Sequence, residues 1–106
     1  LREMKTGVEL IAEERDRQIN QEGWTAEHDS QHDNGALAVA GGCYAFHAGA
    51  NLQEGTDDIL PEPLCWPLPG NWWKPKSPMR DLVRAGALIA AEIDRLIAGG
   101  EEEVDR

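Results

Sequence analysis

The chain is short of cations. Its ten Lys and Arg stand against twenty Asp and Glu, a formal net charge of −10 at neutral pH, and nonspecific binding to nucleic acid rests on cations that neutralise phosphates. The molecule as a whole is therefore not expected to bind nucleic acid in bulk, and any phosphate contact has to be local. Cysteine is equally scarce. Cys43 and Cys65 cannot build a disulfide framework and stand too far apart in sequence for a CxxC redox or zinc pair, which suits a reducing cytosol. Long hydrophobic runs are missing too. The longest apolar stretch, Ala36 to Ala50, is rich in Ala and Gly, contains His47 and is too short to span a bilayer. The chain opens at Leu1 without a basic-then-apolar leader, so a cytoplasmic protein without membrane contact is expected. Its 106 residues leave room for one domain, 1–106.

What is present is helical in pattern. From Arg2 to Glu22, Val8, Ile11, Ala12 and Ile19, with Met4 one turn earlier, recur at the spacing of one helix face. Glu9, Glu13, Asp16 and Arg17 fall on the other side. Arg15 projects from the middle of the apolar face, where an unpaired charge is costly. Asp81 or Glu92 would make a buried pair with it; a ligand phosphate would make it a bidentate clamp. Gly23 ends this helix, and Trp24 and Thr25 begin a polar connector, TAEHDSQHDNG, whose Asp33-Asn34-Gly35 reads as a turn or helix start.

Asn34 to Ala50 is apolar nearly all round. Leu37, Gly41, Tyr44 and Ala48 form one face, and Val39, Cys43 and Phe46 another, the pattern of a central helix or a subunit contact. Gly41-Gly42 costs about 1 kcal/mol per glycine in propensity, which close approach of another backbone would offset. Residues 51–77 hold five of the six prolines and three of the four tryptophans, and no regular element is predicted there. Glu54, Asp57, Asp58 and Glu62 make its first part, 51–63, an acidic and mobile loop, with order expected from about Leu64, where Trp66, Trp72 and Trp73 anchor the chain. The last helix has Ser77 as N-cap, Pro78 at its first position, Asp81 in its first turn and Gly99 past its end. Leu82, Gly86, Ile89, Ile93 and Leu96 form its stripe, widened by Ala85, Ala90 and Ile97; residues 100–106 read as a frayed tail. The expected fold is all-α: a three-helix core with a long Pro/Trp-rich loop between the second and third long helices. So much Ala and Gly surface buries little area, and a homo-oligomer is expected.

Three groups of residues carry candidate chemistry. The stretch WWKPKSPMRDLVR places Lys74, Lys76, Arg80 and Arg84, four of the ten cations, around a helix N-terminus beside Trp72 and Trp73. Free amides, positive charge and flat indoles suit a phosphorylated ring compound. The same residues could equally be core plugs and solvated lysines. EHDSQHD places His28 and His32 four apart, with Asp29 and Asp33 likewise; on a helix the histidines could bind a divalent metal, and otherwise they serve capping and turns. Glu9, Glu13 and Asp16, with Glu14 alongside, could hold Mg²⁺ through oxygen ligands, or form a solvated face.

The runs AEERDRQINQEGWTAEHDSQHDNGALA and WPLPGNWWKPKSPMRDLVRAGALIAAEIDRL resemble a widespread family of small phage and prophage proteins. These carry, in order, an EGWT-x-EHD-x-QH element, a WWKP element and an RDLV-x-AGALI-x-AEI-x-RL helix. The resemblance covers most of the chain and leaves out residues 51–64. More distantly the chain is similar to MazG-like all-α nucleoside triphosphate pyrophosphohydrolases, marked by helical carboxylate pairs, of which Glu13 and Asp16 would supply one E-x-x-D. That similarity implies a Mg²⁺-dependent enzyme with Glu13, Asp16, His28, Asp29 and His32 at the metal.

The leading expectation is a phage-type binder, located in the host cytoplasm, that captures a nucleotide or nucleotide-derived immune signal without cleaving it and needs no cofactor. By analogy with the small oligomeric phage proteins that sequester such signals, Trp24, Trp72 and Trp73 would stack on the base, and Lys74, Lys76, Arg80 and Arg15 would meet phosphates. The pyrophosphohydrolase is the alternative. A second alternative is an inhibitor module presenting its acidic surface to a basic protein.

Overall fold

The structure, a computed structural model, describes residues 4–23 and 34–100. Three α-helices follow one another, α1 (Gly7–Glu22), α2 (Ala36–Glu54) and α3 (Pro78–Ala98), with a short 3₁₀ turn at Gly70–Trp72 between α2 and α3. The all-α, three-helix architecture expected from the periodicity is therefore what the chain adopts. Among the described residues there is no strand.

Two of the three helix starts, those of α1 and α3, carry a side-chain cap. Thr6 and Glu9 form a capping box, the Thr6 hydroxyl accepting from the Glu9 amide at 3.2 Å and the Glu9 carboxylate from the Thr6 amide at 2.9 Å. Gly23, in the left-handed region, closes α1. Ser77 caps α3 by accepting from the Arg80 amide at 3.2 Å, and Pro78 fills the first helical position.

The central helix is α3; of the two places read for the apolar α2, the centre of the bundle or a subunit contact, the first is taken by α3 and α2 flanks it. The backbones of α1 and α2 both pack on α3 and not on each other. Two glycines set these contacts. A Cβ at Gly41 would lie 3.1 Å from the Ala85 carbonyl oxygen and 3.1 Å from Ile89, so α2 approaches the α3 backbone as the glycine pair predicts. A Cβ at Gly86 would meet Ile11 at 2.5 Å, so α1 seats its isoleucine in that notch. The core joins Leu37, Ala40 and Tyr44 of α2 to Ala85, Leu88 and Ala91 of α3, with Trp66, Leu68 and Trp73 packed against it.

Two helix faces are rotated from their expected positions. Val8 and Ala12 of α1, and Met4 ahead of it, stay exposed while Glu14, Arg15 and Gln18 are buried. In α3, Val83, Ala85, Ala87, Leu88 and Ala91 go inside, and the apolar stripe through Leu82, Ile89, Ile93 and Leu96 stays only half-covered. Small side chains allow the close helix contacts, and pairing of Glu14 with arginines permits its burial, so size and pairing override hydrophobicity here.

Residues 51–77 also depart from the irregular loop expected. α2 continues through Glu54, and the chain beyond it is hydrogen-bonded to α2 well before Leu64. The Asn51 carboxamide donates to the Asp58 carbonyl at 2.9 Å and accepts from the Asp58 amide at 3.0 Å and the Thr56 hydroxyl at 2.6 Å. The Leu60 amide donates to His47 Nε2 at 3.2 Å, and the Trp73 indole donates to the Leu60 carbonyl at 2.9 Å.

The two cysteines, distant in sequence, meet in space, with Cys43 Sγ 3.5 Å from Cys65 Sγ. Burial, a hydrogen bond to Cys65 and its charge push the Cys43 thiol up to about 11, so oxidation at neutral pH proceeds through the exposed Cys65. Treatment with oxidised glutathione is expected to give a disulfide within each chain, seen as a chain mass lower by two hydrogen atoms. Closing this loop should add roughly 2–3 kcal/mol to the free energy of unfolding in urea; cross-linking between chains instead would contradict the contact.

Candidate functional site

An aromatic-backed concavity lies where α1, α2 and α3 meet the Trp-rich segment. It has a volume of about 280 Å³ and is walled by Glu14, Arg17, Gln18 and Glu22 of α1, Tyr44 of α2, Trp66, Leu68, Trp72 and Lys74 of the loop, and Arg84 and Leu88 of α3. The back wall is an aromatic cluster. Tyr44 stacks on Trp73 with ring centroids 4.8 Å apart, and Trp66 meets both edge-on, 5.6 Å from Tyr44 and 5.0 Å from Trp73. Trp72 stands outside this cluster, partly exposed at the cavity rim.

Tyr44 also organises the cations. Its hydroxyl accepts from the Lys74 amide at 3.1 Å, donates to the Trp72 carbonyl at 3.4 Å and lies 3.4 Å from Arg84 Nη1. The Arg84 guanidinium sits 5.1 Å from the Tyr44 ring centroid and donates to the Lys74 carbonyl. One tyrosine on α2 thus fixes the loop that carries Trp72 and Lys74 against the arginine of α3.

The α1 wall is an ion-paired network. Arg17 donates to both Glu14 oxygens, at 2.9 and 2.8 Å, and to Glu22 at 3.0 Å, and Arg80 donates to Glu14 from α3. Burial alone would push the Glu14 carboxyl up, but the hydrogen bonds and charges of Arg17 and Arg80 outweigh it and hold the group below the usual glutamate value. The hydrogen bonds that Arg17 donates to Glu14 are likewise the largest cause raising Arg17. Gln18, fully buried behind them, donates to Glu14 at 3.4 Å, and its Oε1 has no partner among the described residues.

The predicted site residues divide. Trp72 and Lys74 line the cavity together. Trp73 does not: it is packed between Tyr44 and His47 as a core plug. Lys76 has an exposed side chain outside the cavity wall, and its amide donates to Asp81 at 2.7 Å. Arg80 pairs with Glu14 and faces a second cleft between α1 and the start of α3. Arg15 lies outside the cavity, and its closest described carboxylate is Asp94, 3.6 Å away, not Asp81 or Glu92. Those two have other partners, His47 for Asp81 and Arg95 for Glu92. Trp24, His28, Asp29 and His32 lie outside the described residues.

The acidic face of α1 is not one cluster. Glu9 is held by the Thr6 backbone and hydroxyl, which lower its pKa, Glu13 bridges to Lys5 at 2.6 Å, Asp16 is exposed and Glu14 is turned inward. Among the described residues no three of His, Cys, Asp and Glu come close enough together to hold a metal ion. The cavity residues missed in the sequence were Arg17, Tyr44 and Trp66, read as surface, core and anchor. Arg84 was counted among the local cations without a role. Its place two turns beyond Ser77, in line with Lys74, was the available signal.

No family model matches this chain, and no curated protein or solved structure matches it significantly.

Proposed function

We propose that this cavity binds a nucleotide or nucleotide-derived signal, with the base against Trp72 and Trp66 and the phosphate at Lys74 and Arg84. The observation that carries the reading is the convergence of a partly exposed indole with two cations from different elements on one concave, aromatic-backed site. Charge sorts the ligand's orientation. On the α1 wall Arg17 is already paired with Glu14 and Glu22, whereas Lys74 and Arg84 on the opposite side have no carboxylate partner among the described residues and attract phosphate there. Both Glu14 oxygens are occupied by guanidinium donors, so a metal could use that carboxylate only by displacing them, which favours capture over metal-assisted cleavage. In this reading the protein acts as a homo-oligomeric sponge of phage type, removing an immune signal by stoichiometric binding.

The test is a panel of linear, cyclic and ADP-ribose-type nucleotides, with and without Mg²⁺, read by thermal shift and by chromatography of the products. Binding without turnover is expected. Trp72→Ala should weaken the affinity of the best ligand by about 1–3 kcal/mol, the worth of one stacked base. Lys74→Ala should weaken it less, and less again at high salt. If no nucleotide raises the melting temperature, the reading fails; Mg²⁺-dependent product formation would select the pyrophosphohydrolase instead.

A further inference from the structure

The surface of α3 left uncovered is the feature that the binding cavity does not explain. Leu82, Ile89, Ile93, Leu96 and Ile97 are each between 38% and 61% exposed, and the first four fall, with Gly86, at positions 82, 86, 89, 93 and 96, a strict four-three alternation. Ile11 of α1 closes over Gly86 from one side and Ile89 abuts Gly41 of α2 on the other. The stripe is therefore the floor between the two flanking helices. It faces away from the cavity, whose α3 wall is Arg84 and Leu88. Val8 of α1, one turn before Ile11, adds an apolar side chain that is 78% exposed.

We propose that this stripe is an isologous dimer interface, covered by the same stripe of a second copy of the chain. The alternation of four and three is the spacing by which two like helices interlock, and a surface that meets itself closes a two-fold dimer. The five α3 side chains and Val8 leave on the order of 600 Å² of apolar surface per copy, which doubled reaches the roughly 1,200 Å² at which stable specific interfaces begin. A basic protein partner is disfavoured because none of the stripe positions is acidic. A membrane surface is disfavoured because interfacial helices carry Lys and Arg beside the apolar face, and a net charge of −10 repels anionic lipid. The dimer leaves both cavities facing outward.

Sedimentation equilibrium of the full chain tests this. The expected mass is twice 11.7 kDa. Because two like-charged copies associate through an uncharged face, the dimer should tighten as NaCl rises from about 0.05 to 0.5 M, the reverse of an ion-paired interface. Ile93→Lys should raise the dimer Kd more than about 100-fold while the circular dichroism stays helical. Ile97→Glu, nearer the helix end, should do the same if Ile93→Lys fails to fold. Phe46→Lys, at a 73% exposed position on α2, should leave the dimer intact. A monomeric wild type, dissociation by Phe46→Lys, or dimers persisting in both α3 variants would each overturn the proposal.

Discussion

Asp81→Ala is expected to cost the fold roughly 3–5 kcal/mol in urea denaturation, the largest effect of any single substitution here. Asp81 is fully buried at the start of α3, and its two oxygens have separate duties. Oδ2 lies 2.7 Å from His47 Nδ1 and Oδ1 accepts the Lys76 amide at 2.7 Å. The tautomer of His47 follows from its other nitrogen. Nε2 accepts the Leu60 amide, so the proton of the neutral ring is on Nδ1 and points at Asp81. Both groups facing Asp81 are therefore donors, and only a side chain with two acceptors satisfies them. Alanine leaves a buried imidazole N–H and a backbone amide unpaired and frees the loop carrying Lys74. Asp81→Asn offers one acceptor and one donor and should still cost about 2 kcal/mol. A loss below about 1 kcal/mol for the alanine variant would show that this triad does not hold the loop to the helices.

Glu14→Ala should cost about 3 kcal/mol, because it strips the shared carboxylate from Arg17 and Arg80 and opens the α1 to α3 contact. The pair also has a pH signature. The folded state holds the Glu14 pKa below its ordinary 4.5, so the unfolded chain takes up a proton first as the solution is acidified. The contribution is complete above about pH 4.5 and is lost as the pH falls through the lower, folded-state value. The Thr6 cap lowers Glu9 in the same direction, so the comparison has to be between wild type and Glu14→Gln. The variant should be less stable at neutral pH, and the gap should close on the acid side of pH 4.5. A gap that stays constant down to pH 3 would rule out the ionised network.

The helices were legible because their signals are local. Ser77, Pro78 and Gly23 act within one turn, and a side-chain oxygen that caps an amide needs no distant partner; Thr6 does the same for α1 and was not read. The cation and indole corner was legible in part, since Trp72 and Lys74 stand two residues apart in the chain and travel together. Trp73 was not separable from Trp72 by sequence. Consecutive residues point in different directions, and which indole meets the core depends on Tyr44 and His47, brought up from α2.

Local chemistry written along the chain determined the number of helices, the end of α1, the start of α3 and the place of the long connection; α1 begins at Gly7 and not at Arg2, and α2 runs on to Glu54. The tertiary structure alone decided which face of each helix is inside. A helix with small residues on one side and large apolar ones on the other has two buryable faces, and periodicity cannot rank them. Here close approach at Gly41 and Gly86 and the pairing of Glu14 with two arginines decided the choice. It put carboxylates inside and left isoleucines half-covered, a result that depends on residues as far apart as Glu14 and Arg80.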